Sequence, residues 1–417
     1  MTTSGVSTNV TIWDRKPLRR IWAASMASEI GTAVSTLAIP MTALQALSAS
    51  PLEMSVLAAL PAAAFLLCAL PFGAYVDQHD RRRLMVWADI VRALLTAVVP
   101  LAWALDFLSL PLLWALTFAS GCATVLFTLA YQSVIPSVVP RSELVGANAK
   151  MAIPASTGEV LGPSAGGLVV GLTGAPAAVL VNSMTFVLSG SFLGSFQVVS
   201  ASPTVRPTRL GLRSEISQGL RFVFGHRVLR RIVGCLGVTN FFVSMRTALV
   251  VLFLVRNLHA SATLTGLTMG AGSVGGVLGA LTARRLISRF GELRILWLMK
   301  SAFGWVVLLV PLAFPRFGVS LAVVGLFASS CTAMVFSVAQ TSYRQSVCPP
   351  ELLGRMNASV RWVIWGVMPL GALSGGLLAT LTGVRIALLV SALGMVSSVI
   401  FVGSAEFRRA RSVVLER

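Results

Sequence analysis

Apolar stretches alternate with short polar ones along almost the whole chain. A helix that crosses a bilayer needs about 20 consecutive, mostly apolar residues, and twelve stretches reach this length. They lie near residues 20–47, 52–76, 84–105, 110–136, 150–172, 176–198, 231–255, 262–284, 293–314, 317–343, 357–381 and 383–403. The pattern therefore predicts an all-α integral membrane protein with 12 transmembrane helices.

A polar stretch in the middle of the chain divides the predicted helices into two sets of six. It contains a predicted amphipathic helix near Leu212–Phe224, of the kind that lies on a membrane surface. The predicted domains are an N-terminal six-helix bundle, a cytoplasmic central loop with the amphipathic helix, a C-terminal six-helix bundle and a cytoplasmic tail, at residues 1–198, 199–230, 231–403 and 404–417.

The two halves of the chain resemble each other in sequence. AYQSVIPSVVPRSELVGANA (130–149) is similar to AQTSYRQSVCPPELLGRMNA (339–358), and GEVLGPSAGGLVVGLTG (158–174) is similar to GVMPLGALSGGLLATLTG (366–383). Several matches in one register indicate an internal duplication. A duplicated membrane protein of this kind is expected to have two similar bundles related by a pseudo-twofold axis along the membrane normal.

Composition also indicates a membrane protein. Hydrophobic residues make up 56% of the chain and charged residues 11%, whereas a typical soluble domain has about 25% charged residues. The net charge of +19 alone would suggest a nucleic-acid-binding protein. The basic residues lie between apolar stretches, however, so we expect no nucleic-acid partner.

The basic residues are divided unevenly between the two predicted sides of the membrane. If both termini are cytoplasmic, the outer loops hold Arg256, Arg316 and Arg385, and the other loop cations are on the inner side. Cytoplasmic loops of membrane proteins carry such an excess of Lys and Arg. The chain is therefore predicted to be a multi-pass protein of the cytoplasmic (inner) membrane with both termini in the cytoplasm.

The reactive side chains do not form a pattern typical of an enzyme. The five cysteines include no CxxC pair and the three histidines are scattered, so the sequence predicts no metal site and no cofactor. The sequence has no GxxxxGK[ST] motif for ATP-driven pumping. A membrane-embedded enzyme is the less favoured alternative, because no nucleophile and base are clustered in the sequence.

Three short motifs connect the chain to a known family. They are GAYVDQHDRRRLM (73–85), DIVRA (89–93) and GEVLGPSAGG (158–167). With them the chain resembles the major facilitator superfamily, in particular its enterobactin exporter-like and macrolide-efflux-like subgroup of drug:proton antiporters. The family loop reads approximately G-x-x-x-D-R-x-G-R-R. Gln78 stands where that loop has an arginine, and Asp80 where it has a glycine.

This resemblance implies a mechanism and a class of substrate. The family fold exposes a central cavity to either side of the membrane in turn. The resemblance implies a monomeric secondary transporter that exports amphipathic small molecules (drugs, antibiotics, natural products or siderophores) in exchange for protons. The alternative is an importer, a symporter of a small organic solute with the same fold.

The resemblance also assigns roles to motif residues. Asp77 is expected to pair with a basic residue and so hold one conformation; Arg81, Arg82 and Arg92 are the candidates. The predicted gating loop comprises Gly73, Asp77, Arg81, Arg82, Asp89 and Arg92. In the fifth helix, small residues allow close helix packing and a proline bends the helix. The predicted hinge residues there and in the matching second-half segment are Gly158, Gly162, Pro163, Gly166, Gly167, Pro369, Gly371, Gly375 and Gly376.

Charged residues inside predicted spans are costly and usually functional. Glu29 lies about 14 Å deep in the first helix, at 1.5 Å per residue, and Glu159 lies at similar depth in the fifth. An acid in such surroundings can bind and release a proton near neutral pH, so Glu29 and Glu159 are the predicted proton-coupling residues. Alternatively, Glu29 forms a fixed ion pair with Arg246, and Glu159 pairs with Lys150 or a hydroxyl group.

The resemblance places the central cavity among helices one, four, seven and ten. Arg246 could bind an anionic group of the substrate there. The complete set of predicted substrate-binding residues is Arg246, Gln45, Tyr131, Gln132, Asn240, Gln340 and Tyr343.

Overall fold

The computed structural model describes residues 16–139, 147, 150–195, 212–314, 318–349 and 352–409, and helices are the regular elements of these residues. In the first half the helices are α1 (Lys16–Gln45), α2 (Pro51–Gln78), α3 (Arg81–Ala104), α4 (Leu110–Val138), α5 (Ile153–Thr173) and α6 (Ala175–Gly194). The second half has α7 (Leu212–Gly225), α8 (Arg227–Leu252), α9 (Ala262–Phe290), α10 (Glu292–Ser301), α11 (Gly318–Val347), α12 (Leu353–Thr382), α13 (Val384–Ser397), α14 (Val399–Val402) and α15 (Ala405–Arg409).

Several predicted features lie partly or wholly outside the described residues. They include Arg316, most of the central loop before α7, and the end of the tail after Arg409. The amphipathic helix predicted near Leu212–Phe224 is present as α7.

Nine helical segments of the described chain are long and apolar enough to cross a membrane. They correspond to α2, α3, α4, α6, α8, α9, α11, α12 and the run formed by α13 and α14. The three other predicted spans correspond to α1, α5 and the region of α10. Glu29 and Glu159 lie in the first two of these, and α10 is short. The protein is therefore a multi-pass membrane protein, and the count of twelve spans stays a prediction.

The ninth predicted span is not one continuous helix. The prediction covered residues 293–314, but α10 ends at Ser301 and a separate 3₁₀ turn covers Gly304–Leu309. Glycine weakens a helix, and Pro311 cannot donate a backbone hydrogen bond to continue it. The last predicted span is similarly divided at Ser398.

Local sequence explains where several helices begin and end. Ser50 and Glu53 form a reciprocal capping box at the start of α2. The Asp80 carboxylate accepts hydrogen bonds from the backbone N–H groups of Arg82 and Arg83 and so caps α3. Gly174 separates α5 from α6 with φ of 83°, a left-handed conformation that glycine adopts without strain.

The same helix pairs recur in the two halves. In the first half α1 packs on α5 and α6, and α4 packs on α2 and α3. In the second half α8 packs on α12 and α13, and α11 packs on α9 and α10. The halves meet through α2 with α12 and through α5 with α9, which are equivalent pairs under the duplication. This repeated arrangement confirms the predicted pseudo-twofold fold.

The halves join more closely at one end of the molecule than at the other. We call the end where α1 begins the proximal end, and the opposite end the distal end. At the distal end one apolar cluster includes residues of both halves, among them Leu37, Leu57, Leu249 and Ala379. At the proximal end each half has a separate cluster. The apolar packing therefore connects the halves distally and leaves them as two bodies proximally.

Small residues allow the close distal contact, which we call the distal seam: α5 against α9, and α2 against α12. A Cβ atom on Gly167 would lie 2.7 Å from Gly266 Cα, and one on Gly376 would lie 2.4 Å from Ser55 Cβ. Arg256, which follows α8, donates a 2.9 Å hydrogen bond to the Ala49 carbonyl of the other half. Backbone contact of this kind is possible only where side chains are minimal.

Gly266→Ala is expected to disturb the distal seam and lower the free energy of unfolding by about 1–3 kcal/mol. The added methyl group would lie 2.4 Å from the Pro163 carbonyl oxygen, which is backbone of the other half. Thermal unfolding in detergent measures the effect. Gly276→Ala on the same helix is the matched control, because its methyl group meets nothing within 4 Å. Equal losses in the two variants would contradict a seam that depends on Gly266.

Candidate functional site

A cavity of about 540 Å³ lies between the two halves. The wall from the first half is a stretch of α5 that includes Glu159 and Pro163, and the wall from the second half comes from α8, α9 and α11. Arg246 of α8 lines the same cavity. The structure thus brings together one predicted proton-coupling residue and one predicted substrate-binding residue.

The lining is mostly small and apolar, with scattered hydroxyl groups. Val160, Val250 and Met269 contribute apolar surface, and Ser156 and Ser330 contribute hydroxyl groups. Clefts of about 300–1,000 Å³ with a few polar groups in an apolar lining are typical of small-molecule sites. The cavity can therefore hold a single drug-sized molecule.

The two charges of the cavity do not neutralise each other. Arg246 donates a 3.3 Å hydrogen bond to the Ser329 hydroxyl. Within the part of the chain that the structure describes, no hydrogen bond or salt bridge engages the Glu159 carboxylate. The predicted pairing of Glu159 with Lys150 is therefore wrong, and both charges face the cavity.

Glu29 is a residue of α1 that packs on α5 at Gly158, the residue before Glu159. The Glu29 side chain is half-buried. Its backbone packs on Gly158, where an added Cβ would lie 3.1 Å from the Glu29 carbonyl oxygen. Arg92 and Glu159 are the charged groups that act on its carboxyl group. Among the described residues no salt bridge joins Glu29 to Arg246, whose guanidinium group donates a hydrogen bond to Ser329 instead.

Arg92 is at the centre of a polar cluster inside the first half. It forms an ion pair with Asp89, one turn earlier on α3, and the two side chains are 2% and 0% exposed. The Ser189 hydroxyl donates a 2.7 Å hydrogen bond to the second Asp89 oxygen. The Phe127 and Phe186 rings lie 4.3 Å and 4.2 Å from the guanidinium carbon. The cluster combines ionic, hydrogen-bonding and cation–π contacts in a dry interior.

This cluster corrects the predicted position of Arg92 in the gating loop. Arg92 was one of three candidate partners for Asp77, but its ion pair is with Asp89. Asp77 lies in the last turn of α2 and is exposed, with Gly73 one turn earlier. The position of a residue in the sequence of a helix does not show which side of the helix its side chain faces. The sequence was therefore compatible with Arg92 at the gating loop or in the interior of the first half.

Two arginines at the proximal end hold the carboxyl-terminal end of α6. Arg82 donates hydrogen bonds of 2.8 Å and 2.7 Å to the Leu193 and Gly194 carbonyl oxygens. Arg20 of α1 donates to the Ser195 carbonyl oxygen. Cations at this end of a helix also complement its dipole. Arg82, predicted as a gating residue, therefore connects the first turn of α3 to the last turn of α6.

The predicted hinge segment of α5 is a continuous helix that packs closely on two neighbours. An added Cβ would lie 2.1 Å from Ala33 Cβ at Gly162, and 3.0 Å from the Val34 carbonyl oxygen at Gly166. These glycines face α1, whereas Gly167 faces α9. The helix continues through Pro163.

The matching segment of α12 repeats this packing. Gly371 and Gly375 face the backbone of α8, and Gly376 faces α2. The helix is likewise continuous through Pro369. The sequence correspondence between the halves is thus also a correspondence of contacts, and the hinge role stays a prediction.

Most of the other predicted substrate-binding residues lie away from this cavity. Tyr131 donates a 3.1 Å hydrogen bond to the Met151 carbonyl oxygen, and Asn240 donates one of 2.9 Å to the Leu236 carbonyl oxygen. The lining of the 540 Å³ cavity includes Arg246 but not the six others, namely Gln45, Tyr131, Gln132, Asn240, Gln340 and Tyr343. Their predicted role in binding therefore gains no support from this cavity.

Sequence reasoning missed a half-buried lysine in the second half. Lys300 of α10 donates a 2.8 Å hydrogen bond to the Thr239 hydroxyl, and its ammonium group lies 4.8 Å from the centre of the Phe336 ring. A lysine within a predicted span was a sufficient signal.

A family model described as transmembrane secretion effector matches residues 9–415. The multidrug efflux pump Tap of Mycolicibacterium fortuitum is 27% identical over 399 residues, which cover 91% of this chain and 93% of Tap. Macrolide efflux protein A of Streptococcus pyogenes is 24% identical over 369 residues, covering 88% of this chain and 90% of that protein.

Comparison with solved structures supports the fold. The crystal structure of a bacterial homologue of the iron transporter ferroportin in the inward-facing state superposes with a TM-score of 0.74. The match covers 96% of this chain and 100% of that one, at 17% sequence identity.

Proposed function

Because the chain belongs to the transmembrane secretion effector family of the major facilitator superfamily, we propose that it exports amphipathic small molecules in exchange for protons. Proteins of this family are transporters, and the relatives named above are efflux pumps for drugs and macrolides. The proposal places the proximal end and both termini at the cytoplasmic side of an inner membrane. The concentration of arginines at that end supports this orientation.

The observation that carries the proposal is the cavity between the halves, with Glu159 on one wall and Arg246 on the other. It lies between two bodies that are joined distally and separate proximally. Rocking of the halves about this site would expose it to each side in turn. The domain boundaries and the monomeric state predicted above belong to the same proposal.

In the proposed mechanism Glu29 carries the proton. Glu29 packs on Gly158, the residue before Glu159, and Arg92 and Glu159 are charged groups that influence its carboxyl group. Reorientation of the halves changes the access of water to Glu29 and with it the affinity for a proton. Asp77 and Arg82 would govern the switch at the proximal end, where the first turn of α3 contacts α6.

The glycine and proline residues of α5 and α12 would let the halves move. Both helices contact their own half through Gly162 or Gly371 and the opposite half through Gly167 or Gly376. A helix in this position transmits motion between the halves. The hinge residues are therefore proposed to act in pairs related by the duplication.

Proton release from inverted vesicles tests this function. Vesicles with an acidic interior and a fluorescent pH indicator receive a panel of amphipathic antibiotics, dyes and siderophores. We expect at least one compound to dissipate the gradient in vesicles that contain the protein and not in matched vesicles without it. Compound-driven dissipation without accumulation of that compound in the vesicles would contradict export, and accumulation only with a reversed gradient would indicate an importer.

A further inference from the structure

The cavity between the halves contains two opposite charges that the protein itself leaves unmatched. Glu159 is exposed to the cavity from α5, and Arg246 reaches it from α8. Across the described ranges no salt bridge joins the two side chains. Asp89 and Arg92, by contrast, form a direct salt bridge within the first half.

Separate charges of this kind are expensive in a membrane protein. An ion removed from water is stabilised only if another charge or several hydrogen bonds compensate it. Arg246 has the Ser329 hydroxyl at 3.3 Å, at the long end of the hydrogen-bond range. A site that keeps such charges apart is preorganised for a ligand that brings the missing partners.

We propose that the cavity binds a small zwitterion, whose cationic group pairs with Glu159 and whose anionic group pairs with Arg246. The apolar part of the ligand lies against Val160, Val250 and Met269. This assignment rests on the proposed function in one respect, namely that the cavity is the transport site. It specifies the charges of the substrate but not its carbon skeleton.

The size and position of the cavity support a ligand that bridges both halves. At about 540 Å³ the cavity holds one drug-sized molecule. Because Glu159 and Arg246 belong to opposite halves, a molecule with one charge contacts a charged partner in one half only. A zwitterion contacts a charged partner in each half and thereby draws the two halves together.

Equilibrium binding to the purified full-length protein in lipid nanodiscs tests the proposal. The probes are Nε-dansyl-lysine, a fluorescent zwitterion, its methyl ester, which keeps only the cation, and its Nα-acetyl derivative, which keeps only the anion. The three share a fluorophore and nearly the same size. We expect the zwitterion to bind about tenfold to hundredfold more tightly than either derivative, since each charged hydrogen-bonding partner contributes such a factor.

Charge-removing variants connect this preference to the two residues. Glu159→Gln should weaken binding of the zwitterion and the ester while leaving the acetyl derivative unchanged. Arg246→Gln should weaken the zwitterion and the acetyl derivative while leaving the ester unchanged. Ser330→Ala removes a hydroxyl group from the same lining and should change all three affinities alike.

Equal affinity for the three probes, binding of none of them, or loss of all binding in both variants would overturn the zwitterion assignment. A thermal unfolding profile like that of the wild type excludes misfolding as the cause of any loss. Binding is measured without a proton gradient, so a failure of export leaves this result unaffected. Conversely, proton-coupled export of singly charged compounds, with no preference for zwitterions, would support the proposed function and contradict this inference.

Discussion

Arg92→Ala is expected to lower the free energy of unfolding by about 3–5 kcal/mol, the range found when one partner of a buried ion pair is removed. The substitution leaves Asp89 charged, with Ser189 as its remaining hydrogen-bond donor. It also leaves a gap between the Phe127 and Phe186 rings, which both contact the guanidinium group. The measurement is thermal unfolding in detergent, together with the amount of protein that reaches the membrane.

The same helix supplies a matched control for this prediction. Arg83 and Asp80 also form a pair three residues apart on α3, with a 3.8 Å separation, but the Arg83 side chain is 80% exposed. Exposed pairs contribute little because water screens them. Arg83→Ala should therefore change the free energy of unfolding much less than Arg92→Ala does. Equal effects of the two substitutions would show that burial of the Arg92 pair does not determine its importance.

A compensating variant separates the loss of charge balance from the loss of packing. Asp89→Asn combined with Arg92→Met removes both charges and keeps a long apolar side chain between the two rings. Replacement of both members of a buried pair is usually far less costly than removal of one. The double variant should therefore be more stable than Arg92→Ala. If it is less stable, the ion pair itself, and not the uncompensated charge, supplies the stability.

Glu29→Gln is expected to reduce compound-driven proton release to the level of vesicles without the protein. The amide has nearly the same shape as the carboxyl group, but it cannot bind and release a proton in the physiological range. Movement of the compound down its own gradient should persist, because the cavity lining does not include Glu29. The measurement is proton release with the compound found active in the vesicle test, over a range of compound concentrations.

Glu159→Gln is the informative comparison for Glu29→Gln. If Glu159 binds the ligand, this variant should need a higher compound concentration but reach a similar maximal proton release. Glu29 packs on Gly158, next to Glu159, so a cation bound at Glu159 would oppose proton binding at Glu29 and link substrate entry to proton release. Full proton release in Glu29→Gln and none in Glu159→Gln would exchange the roles of the two residues.

Much of the architecture could be predicted from the sequence. The apolar stretches located the helices to within a few residues, since a bilayer requires long apolar segments. The repeat between the halves matched the glycine-rich segments of α5 and α12, and in the structure Gly162 contacts α1 and Gly371 contacts α8. The break after Ser301 was missed, because hydropathy alone does not distinguish a continuous helix from an interrupted one of the same composition.

The site was predicted less completely than the fold. Rarity of charge within apolar spans was enough to select Glu29, Glu159 and Arg246. The same criterion would have found Lys300, whereas the family resemblance made Arg92 a candidate partner of Asp77, and Arg92 pairs with Asp89. Polar residues such as Gln45 and Tyr131 were selected because their helices were expected to surround the cavity. That expectation specifies which helices line the cavity but not which face of each helix does so.

By itself, the sequence determined that this protein spans a membrane, that its two halves arose by internal duplication, and that a few charged residues within its apolar segments are candidates for a functional role. Each of these follows from composition or from comparison along the chain. Only the tertiary structure decided that Glu159 shares a cavity with Arg246, and that the Asp89–Arg92 pair of α3 is buried against Ser189 and Phe186 of α6. The physical reason is that a helix which is apolar on all sides carries no periodic signal of its rotation. The neighbours of a side chain are then set by packing between helices that are distant in sequence.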